Sequence, residues 1–224
     1  MHLNSELIFK KHAVPFFKQG MKVLEIGPFG NPSAYQKIIN DSSIEWQTLN
    51  LINSTLEDMG NKDQLTVLTN DPYHYPVPGD TYDIVVSGNV MEHVEEIIAW
   101  YHELKRITKP GGHVITVMPL SWPFHEAPVD CWRIYPDGFK TILAAAGLKN
   151  KISVFESLEF ENSYPLLNKK GFELIPGKSI YSTKSKIHVD SQIRWSRVVR
   201  SIPYFRRFII PIEVAFDTIS IAEK

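Results

Sequence analysis

Val23-Leu24-Glu25-Ile26-Gly27-Pro28-Phe29-Gly30-Asn31-Pro32 decides the fold: an apolar strand runs into a glycine turn and then into residues that start helices. A strand covered on both faces reads as continuous Val, Leu and Ile rather than as an alternation. Gly27 and Gly30 permit backbone angles and close approaches that a Cβ would forbid. Asn31 can cap a helix with Pro32 at its first position, where the missing N–H costs nothing. Strand, turn and helix start together build the crevice where doubly wound α/β proteins hold nucleotides. The spacing is not the G-x-G-x-x-G of dinucleotide binders, because only Pro28 and Phe29 separate Gly27 from Gly30. Glu25, near the strand's carboxyl end, repels a phosphate and welcomes an ammonium or a sugar hydroxyl. A tight strand-to-helix turn with no ligand is the plain alternative.

Downstream the pattern repeats. Apolar or alternating runs predict strands at Ile44–Asn50, Leu65–Asn70, Tyr82–Ser87, His113–Met118, Lys149–Phe155 and Ala215–Lys224. Helices are predicted at Asn4–Phe17, disturbed near Pro15, at Pro32–Ile39, from Gly88 through Met91-Glu92-His93-Val94 to Ile107, and at Phe139–Ala146. In the third of these, Ile97, Ile98, Trp100, Tyr101, Leu104 and Ile107 form a buried stripe, with Glu96, Glu103, Lys105 and Arg106 outside. Lys109-Pro110-Gly111-Gly112 stops it.

At 224 residues the chain suits one domain with a substantial core. A formal net charge of −1 and 43% hydrophobic residues exclude a global attraction to nucleic acid. The single cysteine, Cys131, allows no internal disulfide, no cysteine cluster has zinc spacing, and no metal is expected. A reducing, cytoplasmic setting is the expectation, since Met1–Gly20 lacks a long apolar core and no apolar run would cross a bilayer.

Glu25-x-Gly27-x-x-Gly30 resembles motif I of the class I S-adenosylmethionine-dependent methyltransferases, with Phe29 where the family's middle glycine stands. Tyr82-Asp83-Ile84-Val85-Val86-Ser87 through Met91-Glu92-His93-Val94 resembles that family's fourth-strand region. Leu104 through Lys109-Pro110-Gly111-Gly112 is similar to its usual entry into the fifth strand. The resemblance covers about Met21–Pro119 and implies a doubly wound, Rossmann-like sheet of seven strands. The sheet would be mostly parallel with an antiparallel last strand, and carry helices on both faces. One domain would span 1–224, with a lead-in helix in 1–20 and a helical insertion at 162–213.

The resemblance implies S-adenosylmethionine as cofactor and S-adenosylhomocysteine as product. It puts Glu25, Gly27, Pro28 and Gly30 at the cofactor floor, Asn50 at the ribose, Asp71 at the adenine, and Ser87, Gly88 and Asn89 at the methionine end. Asn50 stands where the family has an acid, and a plain turn residue reads equally well there. Asp71 before Pro72 also fits an Asx turn. A histidine in a helix's first turn, as His93 would be, commonly bonds backbone rather than taking part in catalysis.

The loop Pro119–Asp137 follows the fifth strand and mixes Trp122, Phe124, Trp132 and Tyr135 with His125, Glu126, Asp130 and Arg133. Aromatic faces among charged groups suit a small polar acceptor or a saccharide, and Trp122, Glu126, Trp132 and Arg133 are the candidate substrate residues. The His125-x-x-Pro128-Val129-Asp130-x-Trp132-Arg133 phrase resembles methyltransferases of glycan biosynthesis. His125 is the candidate general base, oriented by Asp130 or Glu126. The competing reading has Asp130 and Arg133 holding the loop as an ion pair while His125 packs. The insertion, with Arg194, Arg197, Arg200, Arg206 and Arg207 among apolar residues, has three competing uses: a lid, a homodimer contact, or a peripheral membrane surface. A non-catalytic cofactor-binding or scaffolding protein is the competing functional class, and a nicotinamide-dependent oxidoreductase a distant third.

Overall fold

The computed structural model describes residues 3–28, 30, 32–51, 67–122, 124–125, 129–158 and 216–224. The insertion at 162–213 therefore lies outside the described residues, as do Phe29, Asn31 and Glu126.

Seven strands form one sheet: β1 (Lys22–Ile26), β2 (Glu45–Leu51), β3 (Val67–Thr69), β4 (Tyr82–Gly88), β5 (Thr108–Pro119), β6 (Lys149–Glu156) and β7 (Asp217–Glu223). Their order is β3-β2-β1-β4-β5-β7-β6. Strands β1 to β5 pair in parallel, while β7 runs antiparallel between β5 and β6. This is the architecture the sequence predicts.

Alternate residues of the central strands feed two cores, because successive side chains leave a strand on opposite faces. Leu24, Ile26 and Val85 join Trp100, Tyr101, Leu104 and Phe139 on one face, from α3 (Ile97–Ile107) and α4 (Pro136–Ala145). Val23, Ile84 and Val86 join Ile8, Phe9 and Tyr35 on the other, from α1 (Leu3–His12) and α2 (Ala34–Ile39). A sheet buried on both faces needs apolar residues in both registers, which is why β1 and β4 show no alternation.

Four local expectations are corrected. The lead-in helix ends at His12 and gives way to a 3-10 turn, Val14–Phe16, because Pro15 offers no N–H to carry the α-helix on. Helix α2 starts two residues later than expected, and its cap is Ser33, whose Oγ accepts the Gln36 N–H at 3.1 Å. The long helix expected from Gly88 splits into a 3-10 turn, Met91–His93, and α3, because Val94 is extended. Strand β5 begins well before His113: Gly111 N donates to Lys224 O and Lys224 N to Gly112 O, both at 3.0 Å, which draws Pro-Gly-Gly into the ladder.

Glu103, expected outside, is buried. It accepts from Tyr75 N and from two Arg106 nitrogens, each at 2.7 Å, and Arg106 Nη2 also donates to the carbonyls of Tyr75 and Val77. This pair pins the loop after β3 onto α3. Among the described residues no helix is long and apolar enough to cross a membrane.

Candidate active site

The carboxyl ends of β1 and β4 meet where the strand order reverses, the place where open α/β sheets bind ligands. Gly27 leaves β1 at φ +64° and donates its N–H to Leu49 O at 2.9 Å. A Cβ there would lie 2.4 Å from Val90, so this glycine is required by the neighbouring loop. Gly30 sits at φ +78°, and a Cβ there would meet only the Pro32 carbonyl oxygen, at an ordinary contact distance of 3.8 Å.

Glu25 is buried. Its Oε2 accepts the Ser33 hydroxyl and the Trp46 Nε1–H, the latter at 2.9 Å. Burial pushes its pKa up from 4.5 to about 7, against the pull of these two hydrogen bonds. Ser33 thus caps α2 and grips the acid of β1 at once.

At the tip of β4, Ser87 Oγ and Asn89 Oδ1 are buried without a hydrogen-bond partner among the described residues, and Asn89 sits at φ +56°. Buried polar atoms are rarely left so, and two in three residues at a strand tip mark a place built for a polar ligand. The Tyr35 hydroxyl, against Gly88, is a third. Asn50 Oδ1 accepts the Leu51 N–H at 2.9 Å. Asp71 is exposed, and its Oδ1 accepts the N–H groups of Tyr73 and His74 at 2.8 and 3.1 Å, an Asx-type turn.

The loop after β5 is fastened to the 3-10 turn at three points. Cys131 N donates to Glu92 O at 2.7 Å, His93 Nδ1 to Val129 O at 2.5 Å, and Trp132 Nε1 to Val94 O at 2.7 Å. His93 does bond backbone, though of a residue far along the chain. Trp132 faces the core instead of standing clear as a stacking surface, whereas Trp122 and Phe124 are exposed.

Arg133 holds Asp130 with Nη1 on Oδ1 at 2.5 Å and Nη2 on Oδ2 at 2.8 Å, and the His125 amide adds a bond to Oδ2 at 2.9 Å. The Arg133 hydrogen bonds hold the Asp130 carboxyl down at about 2, so it stays ionised. His125 Nδ1 stands 3.4 Å from the same Oδ2. The expected ion pair between Asp130 and Arg133 is present, and Asp130 also lies beside His125.

The structure brings to this loop a residue that sequence reasoning passed over. Glu92 is fully buried, and neither carboxylate oxygen accepts a hydrogen bond from another described residue. Burial pushes its pKa up to about 8, with only its own amide and Arg133 opposing. Its Oε1 lies 3.8 Å from His93 Nε2, and the His93 and His125 rings meet edge to face with centroids 4.9 Å apart. Burial lowers the His93 pKa. The only signal in the sequence was the Glu-His pair ahead of α3, two positions that a continuous helix would have pointed apart.

Comparison with known proteins bears on the fold. Residues 43–116, which run from β2 through most of β5, match the methyltransferase domain family. An S-adenosylmethionine-dependent methyltransferase from Archaeoglobus fulgidus superposes with a TM-score of 0.54 at 16% identity, covering 98% of this chain and 94% of that one. Phosphoethanolamine N-methyltransferase 2 of Haemonchus contortus, solved with S-adenosyl-L-methionine, gives 0.54 at 14% identity over 99% of this chain and 52% of its own. An uncharacterized methyltransferase of Schizosaccharomyces pombe is 48% identical over 42 residues, 19% of this chain and 15% of that protein. The fold is that of the class I S-adenosylmethionine-dependent methyltransferases.

Proposed function

We propose that the chain is an S-adenosylmethionine-dependent methyltransferase acting on an oxygen, in preference to a nitrogen, of a small polar molecule or saccharide. The observation that carries this reading is the pair of partnerless buried oxygens, Ser87 Oγ and Asn89 Oδ1, at the switch point beside the glycine turn. The residues there fit the cofactor. Glu25 offers a buried acid for a cationic group, Gly30 leaves room for backbone approach, and Ser87 and Asn89 hold unspent polar atoms. Pro28 and Gly88 complete the floor. Asn50 at the end of β2 takes the ribose side, and Asp71 beyond β3 the adenine side.

S-adenosylmethionine supplies a methyl group already activated on a sulfonium. The chain's own task is to align the acceptor and ease the loss of its proton. The fastened loop performs the first part. Asp130 and Arg133 fix its course, Trp132 anchors it, and Trp122 and Phe124 remain as exposed faces for a sugar-like ring, with Glu126 assigned to the same acceptor side. The second part falls to His125, which Asp130 holds in place beside His93 and Glu92.

Calorimetric titration of the purified chain with S-adenosylmethionine and S-adenosylhomocysteine tests the reading. Both should bind at one site per chain, and a chain that binds neither is not a methyltransferase. Binding that survives while no hydroxyl compound is methylated would favour a scaffolding role. The feature that points that way is Asn50, whose side-chain oxygen is occupied by the Leu51 amide.

A further inference from the structure

We propose that Glu92, His93 and His125 form a binding site for a first-row divalent cation of the Zn2+ or Mn2+ kind, with coordination positions left open toward the acceptor. One ligand atom from each of the three residues lies within 4.8 Å of the other two. Ligands around such a cation, with bonds of about 2.1 Å, stand about 3 to 4 Å apart, so a small closing movement of side chains completes the site.

The tautomer of His93 is fixed from behind. A carbonyl oxygen can only accept, so the 2.5 Å contact with Val129 O requires the hydrogen on Nδ1, and the lone pair of the neutral ring falls on Nε2. That nitrogen lies 3.8 Å from Glu92 Oε1. His125 Nδ1 lies 3.4 Å from Asp130 Oδ2, and Asp130 is itself clamped by Arg133. Imidazoles held through their far nitrogen by a carbonyl or a carboxylate are the hallmark of metal-binding histidines.

The second observation is Glu92 itself. It is fully buried, and no other described residue gives either of its carboxyl oxygens a hydrogen bond, a lack that a bound cation would make good. Among the described residues no side-chain cation bonds to it, and the guanidinium of Arg133 is committed to Asp130. Two imidazoles and one carboxylate suit zinc or manganese better than magnesium, which favours oxygen ligands throughout. Three protein ligands leave room for a water or an acceptor oxygen. A hydroxyl bound to the cation gives up its proton more readily. In this arrangement His125 acts on the acceptor as a ligand of the cation. Binding of the cation stands on the side chains alone, and its use on an acceptor oxygen rests on the methyltransferase reading.

The test is calorimetric titration of the chelator-treated full chain with zinc chloride and, separately, manganese chloride. Wild type should bind at least one of them at one site per chain. Glu92→Gln and His125→Asn should each weaken binding roughly tenfold or more, and Asp130→Asn by a smaller factor. His125 is part-exposed, so its variant keeps the fold even if the Glu92 variant does not. Absence of binding by wild type, or equal binding by wild type and both ligand variants, overturns the proposal. S-adenosylhomocysteine titrated into the same samples separates the two ideas. Homocysteine-analogue binding without cation binding removes only the cation site, whereas cation binding without it removes the methyltransferase reading and leaves the site standing.

Discussion

Replacing Glu25 with Gln should alter how the protein's stability depends on pH, and the structure gives the size of the change. Burial holds the folded-state pKa at about 7 against 4.5 for an unperturbed glutamate. At about 1.4 kcal/mol per pH unit, that difference is worth about 3 kcal/mol. Below pH 4.5 both states carry the proton. Between 4.5 and about 7 the folded protein keeps a proton that the unfolded chain has released, so stability falls as pH rises, and above about 7 the loss is complete. Gln mimics the protonated acid, and its amide oxygen can still accept from Ser33 and Trp46. Glu25→Gln should therefore match wild type near pH 4.5 and exceed its stability by about 3 kcal/mol at pH 8. Urea unfolding followed by tryptophan fluorescence at a series of pH values, with chelator present, measures this difference. Glu92 is shifted the same way and leaves a residual slope in the variant. Curves for wild type and variant that run parallel across the whole range would refute the account of Glu25.

Two further perturbations address the frame around the site. Asn4 is fully buried, and its side chain donates to Glu156 O at 2.9 Å and Asp217 Oδ2 at 2.5 Å while accepting from Leu158 N at 2.6 Å. Asn4→Ala should cost about 3 to 5 kcal/mol by urea denaturation, because each partner is left buried, and a cost below about 1 kcal/mol would show that α1 is not anchored there. Gly88→Ala places a Cβ 2.3 Å from the Tyr35 hydroxyl and 2.5 Å from its ring. It should lower stability by about 1 to 3 kcal/mol and abolish S-adenosylhomocysteine binding, and a variant with wild-type melting temperature and affinity would show that this contact relaxes freely.

The sheet was legible because its central strands are apolar in both registers, a pattern that only burial on two faces demands. Strands β6 and β7 were likewise placed to within a residue or two by their apolar pattern, and helix α4 to within three residues, its start coming at Pro136 rather than Phe139. What could not be read depended on partners distant in the chain. Glu103 looks like a surface residue on the wheel of α3 until Arg106 and the loop at Tyr75 fold over it. The early start of β5 is imposed by Lys224. At the site, Glu25 stood out at a strand end, the Ser87–Asn89 stretch through the family resemblance, and His125 with Asp130 from loop composition. Glu92 was missed because its meaning comes from the imidazole of His125, brought near by the bonds from Val129, Cys131 and Trp132.

Strand β7 has a consequence for how the molecule is made. It fills the gap between β5 and β6, with His113 opposite Glu223 and Pro119 opposite Asp217. Until it arrives during synthesis, two apolar sheet edges stay open to chaperones and to other nascent chains. Removing Asp217–Glu223 should therefore drive the product into inclusion bodies.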